Sequence, residues 1–168
     1  RVTNPRLTYR EQVDAVLAAY ADLMEGDLKG ASAVFKRFFL SDAANQADYL
    51  QALHAEQSDC PLSVIEQAPL DGTKIAMWVY AQTGVQTKTL SHGIYEVKHG
   101  NYRHLWMAGA CNQALNSEYQ MRLLFNDYVM QLLEIGCSLA NNCIRTWLYV
   151  QNVDVNYAGV VKARNEVF

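Results

Sequence analysis

The spacing of hydrophobic residues in the first quarter of the chain predicts a helix, a strand and a second helix. Thr8 and Glu11 form a capping box, and the apolar residues that follow recur at helical spacing. Gly26 is expected to end this helix in a left-handed conformation. A stretch rich in Val and Phe, residues 33–40, predicts a strand, and a serine or aspartate can cap a helix over residues 41–53.

The same order of elements recurs in the last third of the chain. Ser117 with Gln120 matches a second capping box, and an apolar stripe then runs to Gly136. Residues 143–150 are apolar and aromatic and predict a strand, and an amphipathic stretch over residues 154–168 predicts a final helix. The order of elements therefore indicates an internal repeat.

Two residue pairs place the repeat at an offset of about 110 residues. Gly26 corresponds to Gly136, and Phe38 corresponds to Trp147. These identities are few, so the interpretation depends on the order of elements.

The middle of the chain has the pattern of β-structure. A strand is expected over residues 62–67, and residues 74–82 alternate in the manner of a strand with both faces covered. The polar residues 83–91 are expected to be a connector, and residues 93–98 and 101–107 flank His99-Gly100 as a β-hairpin. The fold class is therefore predicted to be α+β.

The charge and composition of the chain argue against some classes of binding partner. The formal net charge is −3, and clustered Lys and Arg residues are lacking, which argues against a nucleic-acid partner and against RNA cleavage. No apolar run is long enough to span a membrane. The four cysteines form no Cys-x-x-Cys pair and favour free thiols in a reducing compartment, so a cytoplasmic location is expected.

Several segments of the chain resemble the reactive intermediate deaminase (RidA, or YjgF) superfamily. The resemblance is closest to its two-module branch, which includes the chorismatases. It covers most of the chain and is carried by residues 68–75 (APLDGTKI), 94–97 (IYEV), 102–106 (YRHLW), 105–109 (LWMAG), 144–150 (IRTWLYV) and 156–168 (NYAGVVKARNEVF).

The resemblance implies a chorismate-mutase-like fold, with a mixed sheet and helices packed on one face. It implies the C-terminal part of a first module in residues 1–88 and the N-terminal part of a second in residues 89–168. It further implies a homotrimer that binds a small carboxylate at module or subunit interfaces, without a cofactor. If the protein is an enzyme, the resemblance implies a hydrolase or deaminase of imine, enamine or chorismate-like substrates.

The sequence departs from the family pattern at the main ligand clamp. The family places a carboxylate-binding arginine after a proline on the strand that follows the second helix, whereas this chain has Pro61, Leu62 and Ser63 there. The corresponding strand of the second module would follow Phe168, so the chain is expected to be the middle of a longer protein. The alternative is a degenerate, non-catalytic member that serves as a binding or oligomer-scaffold module.

Five residues are the candidates for ligand binding, and each has a structural alternative. Arg103 and Arg145 can grip a carboxylate through paired hydrogen bonds, or can form an ion pair or stack on aromatic neighbours. Trp106 is a pocket wall or a core residue, and Trp147 shares a strand face with Arg145. By resemblance, Gly109 lets a backbone N–H approach a ligand, and a plain turn glycine is the alternative.

No metal site and no covalent nucleophile is predicted. His99 and His104 flank the hairpin turn without a third ligand, and no serine elbow or phosphate loop occurs. Any catalysis would use pre-organised hydrogen bonds and a positioned water, and no catalytic residue is assigned.

Overall fold

The computed structural model describes residues 2, 4–57 and 60–168, with the side chains of residues 55–57 left aside. The chain divides into two compact units, Arg1–Gly109 and Ala110–Phe168. The two units differ in their secondary structure. The first contains all the strands that the structure describes, and the second is helical.

The first unit begins with an alternation of helices and strands and ends in a hairpin. Its elements are α1 (Tyr9–Glu25), β1 (Ala31–Leu40), α2 (Ala43–Gln57), β2 (Leu62–Glu66), β3 (Ile75–Thr83), β4 (Gln86–Thr89), a 3-10 turn (Ser91–Gly93), β5 (Tyr95–His99) and β6 (Tyr102–Trp106). The predicted helices, the strands β1, β2 and β3, and the hairpin are confirmed. The α+β class is confirmed with them.

Helix α1 begins as its sequence predicts and ends differently. The Thr8 backbone N–H donates to the Glu11 carboxylate at 2.7 Å, and the Glu11 N–H donates to the Thr8 hydroxyl, which completes the capping box. Gly26 follows the last helical residue, but its φ is −100°. The prediction of a left-handed stop there is therefore wrong. The Gly26 N–H still donates to the Asp22 carbonyl at 2.9 Å, and an added Cβ would lie 3.0 Å from that oxygen.

Strand β1 is the centre of a three-stranded mixed sheet. It pairs in parallel with β2, from Lys36 opposite Leu62 to Leu40 opposite Glu66, and antiparallel with β3. One face of the sheet packs on the helices through a core of buried residues: Val13 and Val16 from α1, Phe38 and Leu40 from β1, Leu50 from α2 and Ile75 from β3. A mixed sheet with helices on one face is thus present in this unit.

The second sheet of the first unit has the order β4-β5-β6 and is antiparallel throughout. The hairpin turns at Gly100, whose φ of +55° suits a glycine. The expected connector contains β4, which sequence reasoning missed because its residues are polar and all exposed. Tyr95 and Val97 of β5 pack with Val34 of β1, so the two sheets share a hydrophobic cluster.

The second unit is built on two long helices. It contains α3 (Ser117–Glu134), the single turn α4 (Leu139–Asn142) and α5 (Val153–Asn165). Met121 and Phe125 of α3 pack on Val160 and Ala163 of α5. The ion pairs of Arg122 with Glu166 and of Lys162 with Glu118 join the same helices at the surface.

The start of α3 differs from the prediction. Asn116 is the N-cap, because its side-chain oxygen accepts a hydrogen bond from the Tyr119 N–H at 2.9 Å. Ser117 is the first helical residue, and Gln120 donates to the Ala114 carbonyl at 2.6 Å, so the expected capping box is wrong. Gly136 directly follows the C-cap Ile135 with a φ of +73°, a left-handed conformation that suits glycine.

The predicted strand at residues 143–150 is not formed. Among the described residues, none pairs with this segment in a sheet. Its side chains stay exposed to a large degree, with Ile144 at 87% and Tyr149 at 47%. A strand needs a hydrogen-bonding neighbour for its backbone groups, and strand propensity alone does not supply one.

No helix in the described part of the chain is both long and apolar enough to cross a membrane.

Candidate functional site

The face of the first sheet that turns away from the helices carries the candidate site. Phe38 and Leu40 point into the helix core, and alternation along β1 therefore directs Phe35 and Arg37 to the other face. Across the antiparallel ladder, Tyr80 lies opposite Phe35 and Trp78 lies opposite Arg37. Register between β1 and β3 thus assembles these four side chains.

Four rings form what we call the aromatic cluster: Phe35, Trp78, Tyr80 and Trp106. The Phe35 ring lies edge-on to Trp78 at 5.8 Å and is stacked on Trp106 at 5.7 Å, with 26° between the planes of that stacked pair. Tyr80 contacts Trp106 at 5.4 Å. These separations are typical of favourable aromatic pairs. Trp106, predicted as a pocket wall or a core residue, is half-buried here and reaches the cluster from β6.

Arg37 places a cation against this cluster. Its guanidinium carbon is 5.0 Å from the centre of the Phe35 ring and 5.4 Å from that of Trp78. The residue is only 7% exposed. A guanidinium held over two rings and largely removed from water interacts more strongly with an anion than a surface arginine does.

Arg37 was not among the predicted site residues. The available signal was a basic residue between Phe35 and Phe39 in an apolar strand, where a charge has a structural or a binding role. Its neighbour Lys36 lies on the helix face, with its ammonium 4.9 Å from the centre of the Tyr20 ring. Lys36 and Arg37 are adjacent in sequence but have different neighbours, because successive side chains of a strand point to opposite faces of the sheet.

Arg103 lies outside the aromatic cluster. Its register on β6 puts it on the face of the hairpin opposite to Trp106. There it forms an ion pair with Glu96 at 3.3 Å, and Lys98 approaches the same carboxylate at 3.4 Å. The Glu96 side chain is 7% exposed, so this arrangement matches the structural ion pair that was the alternative for Arg103.

Gly109 occupies a position that only glycine accommodates easily. Its φ is +72°, and an added Cβ would lie 3.2 Å from the Leu62 carbonyl oxygen at the start of β2. The positive φ and the close approach to β2 together favour glycine here. Ligand approach at this position stays a prediction.

Arg145 and Trp147 lie together in the second unit. The Arg145 guanidinium carbon is 5.7 Å from the centre of the Trp147 ring, and Trp147 is 41% exposed. The pair corresponds to the stacked alternative stated for Arg145. Because the expected strand is absent, no sheet face holds these side chains towards a ligand.

Tyr128 of α3 interacts with two cysteine thiols of the second unit. Burial, a hydrogen bond with Cys143 and the nearby Cys137 together raise the pKa of Tyr128 to about 12. All four cysteines are free thiols. Tyr128 is therefore protonated at neutral pH and acts as a hydrogen-bonding partner there.

Metal-binding clusters are absent from the described part of the chain, where no three His, Cys, Asp or Glu side chains come together. The arrangement that remains for chemistry is the aromatic cluster with Arg37. It can hold a carboxylate by charge and hydrogen bonds, and an apolar group by contact with the rings.

Comparison with known proteins returned no family model, no curated protein and no solved structure that matches this chain.

Proposed function

We propose that this protein is a RidA/YjgF-like binder of a small carboxylate, with Arg37 and the aromatic cluster as the ligand contact in the first unit. The observation that carries the proposal is the nearly buried guanidinium of Arg37 over Phe35 and Trp78, on the face of the sheet opposite to α1 and α2. A buried cation beside apolar rings matches an organic anion with a small apolar body.

The topology of the first unit supports the family assignment. Helices α1 and α2 flank β1 in sequence, pack on one face of the sheet, and leave β2 parallel to β1. This order is compatible with the chorismate-mutase-like module that the resemblance implies. The chain has no arginine after Pro61, and in the proposal Arg37, on the sheet face opposite to α1 and α2, takes that role.

In this proposal the chemistry, where the protein is active, is hydrolysis of an imine, enamine or chorismate-like substrate. A positioned water would attack the carbon of the imine, and Arg37 would hold the substrate carboxylate in the correct orientation. No cofactor takes part. The proposed setting is a homotrimer in the cytoplasm.

The test is calorimetric titration with pyruvate, a small carboxylate, comparing the protein with Arg37→Met. Loss of a charge-assisted contact worth about 1.5–3 kcal/mol should weaken pyruvate binding by about 10- to 100-fold. The matched control is Lys88→Met, which removes an exposed cation from β4 and should leave binding unchanged.

Two results would contradict the proposal. One is equal pyruvate affinity for Arg37→Met and the unmodified protein, with the fold of both checked by circular dichroism. The other is no binding of pyruvate by either. Release of ammonia from a dehydroalanine-type imine, measured in parallel, decides whether a binder is also a catalyst.

A second candidate is a non-catalytic scaffold that self-associates through the same face. Trp78 is 42% exposed and Tyr80 39% exposed, and exposed aromatic residues on a sheet face are common at protein interfaces. Sedimentation of the protein and of Trp78→Ser with Tyr80→Ser tests it. A trimer that dissociates in the double variant, with no ligand bound by either protein, would favour the scaffold.

A further inference from the structure

Residues 143–150 of the second unit have the composition of a strand but no neighbouring strand in the described part of the chain. They form no helix, turn or bend, so the backbone runs without a sharp change of direction. Four alternate residues make no backbone hydrogen bond to any residue that the structure describes: Ile144, Thr146, Leu148 and Val150. A β-branched and aromatic segment with such a row of open N–H and C=O groups is a template for pairing with another strand.

In a strand, this segment has one aliphatic face and one aromatic face. Alternation puts the four residues with open backbone groups on the aliphatic face, and Arg145, Trp147 and Tyr149 on the other. Ile144 is 87% exposed, whereas Val150 packs on the cluster between α3 and α5. One end of the segment is therefore held on the helix pair, and the other presents an apolar side chain to solvent.

The chemistry of the segment is symmetrical about Trp147. When two copies pair antiparallel with Trp147 at the centre, Ile144 lies opposite Val150 of the second copy, which joins two β-branched side chains. Thr146 lies opposite Leu148 of the second copy on the same face. The Trp147 side chains of the two copies meet at the centre, and aromatic cross-strand pairs are favourable. A second copy of this chain therefore matches the segment along its whole length.

The single charge of the segment favours this register over its neighbours. Arg145 lies opposite Tyr149 of the second copy, where the guanidinium can stack on the ring. Its contact with Trp147, 5.7 Å from the guanidinium carbon to the ring centre, is on the same face and is compatible with the pairing. A register centred on Arg145 would instead bring two like charges directly opposite each other, which is destabilising.

The backbone hydrogen bonds of this pairing fall on the open groups. In an antiparallel pair, hydrogen-bonded and non-hydrogen-bonded residue pairs alternate along the strands. With Trp147 in a non-hydrogen-bonded pair on the two-fold axis, the four residues of the aliphatic face exchange the hydrogen bonds. The backbone groups of Arg145, Trp147 and Tyr149 point away from the second copy, so the pairing leaves their contacts within the chain intact.

We propose that residues 144–150 pair antiparallel with the same residues of a second copy of this chain, about a two-fold axis at Trp147. Such a contact is self-complementary and closes on two chains, and it would join two trimers where the protein is a trimer. It does not depend on the proposed function. Two paired strands bury little surface, so we expect a dissociation constant of about 0.1 mM and an unpaired segment in dilute solution.

The first test is sedimentation equilibrium between about 5 µM and about 1 mM, a range that brackets the expected dissociation constant. The mass should rise towards twice its dilute value. Thr146→Pro removes an N–H of the ladder and should raise the dissociation constant by more than about tenfold. The matched control, Thr146→Val, keeps that N–H and a β-branched side chain and should associate as the unmodified protein does. Circular dichroism checks that the fold of both variants is unchanged.

The second test locates the two-fold axis by disulfide trapping, in a background where serine replaces the two cysteines that are not buried, Cys111 and Cys143. The Cα atoms of a non-hydrogen-bonded pair lie about 4.5 Å apart, which a disulfide spans, so Trp147→Cys should cross-link two chains under mild oxidation with copper phenanthroline. Tyr149→Cys is the matched control, at a side chain that is 47% exposed against 41% for Trp147. Its two copies would lie about 14 Å apart along the strands and should not cross-link.

Four results would overturn the inference. A mass that stays at its dilute value up to about 1 mM would show that the segment does not pair with a second copy. Growth well beyond twice the dilute mass would exclude a contact that closes on two chains. Association that survives Thr146→Pro but is lost in Trp78→Ser with Tyr80→Ser would assign the contact to the first sheet. Cross-linking of Tyr149→Cys as readily as Trp147→Cys would exclude the register centred on Trp147.

Discussion

Similar stretches of sequence have different structures in the two units. In the first, β1 lies between two hydrogen-bonded neighbours and Phe38 is 2% exposed. In the second, residues 143–150, which the predicted repeat aligns with β1, pair with no described strand, and Trp147, which it aligns with Phe38, is 41% exposed. Both segments are apolar and aromatic. The difference shows that pairing, rather than composition, turns such a segment into a strand.

The largest effect expected from this difference comes from truncating the two corresponding aromatics. Phe38→Ala should lower the free energy of unfolding by about 3–5 kcal/mol, because it leaves a cavity in the helix core. Trp147→Ala should cost less than about 1 kcal/mol, because that side chain is a surface one. Urea unfolding of both variants measures the two costs.

An equal loss of unfolding free energy in the two variants would contradict this difference between the units. They would mean that Trp147 is buried in the protein in solution and that residues 143–150 have found a partner. A matched control is Leu148→Ala, at a neighbouring residue that is 38% exposed and should also cost little.

A smaller effect is expected where the second unit does pack closely. An added Cβ at Gly159 of α5 would lie 2.8 Å from the Glu118 backbone nitrogen and would also clash with the Ser117 hydroxyl. Gly159→Val should therefore separate the helices at a cost of about 1–3 kcal/mol. Amide hydrogen exchange should become faster in α3 and α5.

The control for this substitution is Val155→Ala on the same helix, at a side chain that is 80% exposed. It should leave exchange in α3 unchanged. Unchanged exchange in Gly159→Val would show that the helix pair in the second unit is looser than the close approach of Gly159 indicates.

Local chemistry was predictable from the sequence, and partner-dependent structure was not. The capping box of Thr8 and Glu11 and the glycine turn at Gly100 each depend on residues adjacent in sequence, although the left-handed stop expected at Gly26 is not formed. The choice of Asn116 over Ser117 as the cap of α3 was missed, because both residues can accept the same hydrogen bond and backbone conformation decides between them.

The candidate site was predictable only in part. Trp106 was singled out as a wall or core aromatic, and it lies in the cluster. Arg37 was missed because its contact with Trp78 depends on antiparallel register between strands some 40 residues apart, which one sequence does not reveal. Arg145 was chosen on an expected strand face that does not form.

Removal of a helix N-cap should lower stability by about the same amount in both units. Thr8→Ala and Asn116→Ala each remove an N-cap side chain and should each cost about 1 kcal/mol. Urea unfolding checks both, with Asp14→Ala on the exposed side of α1 as the control. A cap that costs nothing in the second unit only would show that α3 frays at its start.

The smallest expected effect is a difference between the units in how the stability contributed by the N-cap depends on pH. Hydrogen bonds from Thr8 hold the pKa of the Glu11 carboxylate below its usual range, whereas the Asn116 cap has no titrating group. A lowered pKa in the folded state means that stabilisation is present above the ordinary glutamate pKa of about 4.3 and is lost as pH falls through the folded value. The difference in stability between the protein and Thr8→Ala should thus shrink on acidification. The difference for Asn116→Ala should stay constant over the same range, and a parallel decrease there would show that acid acts on the second unit by another route.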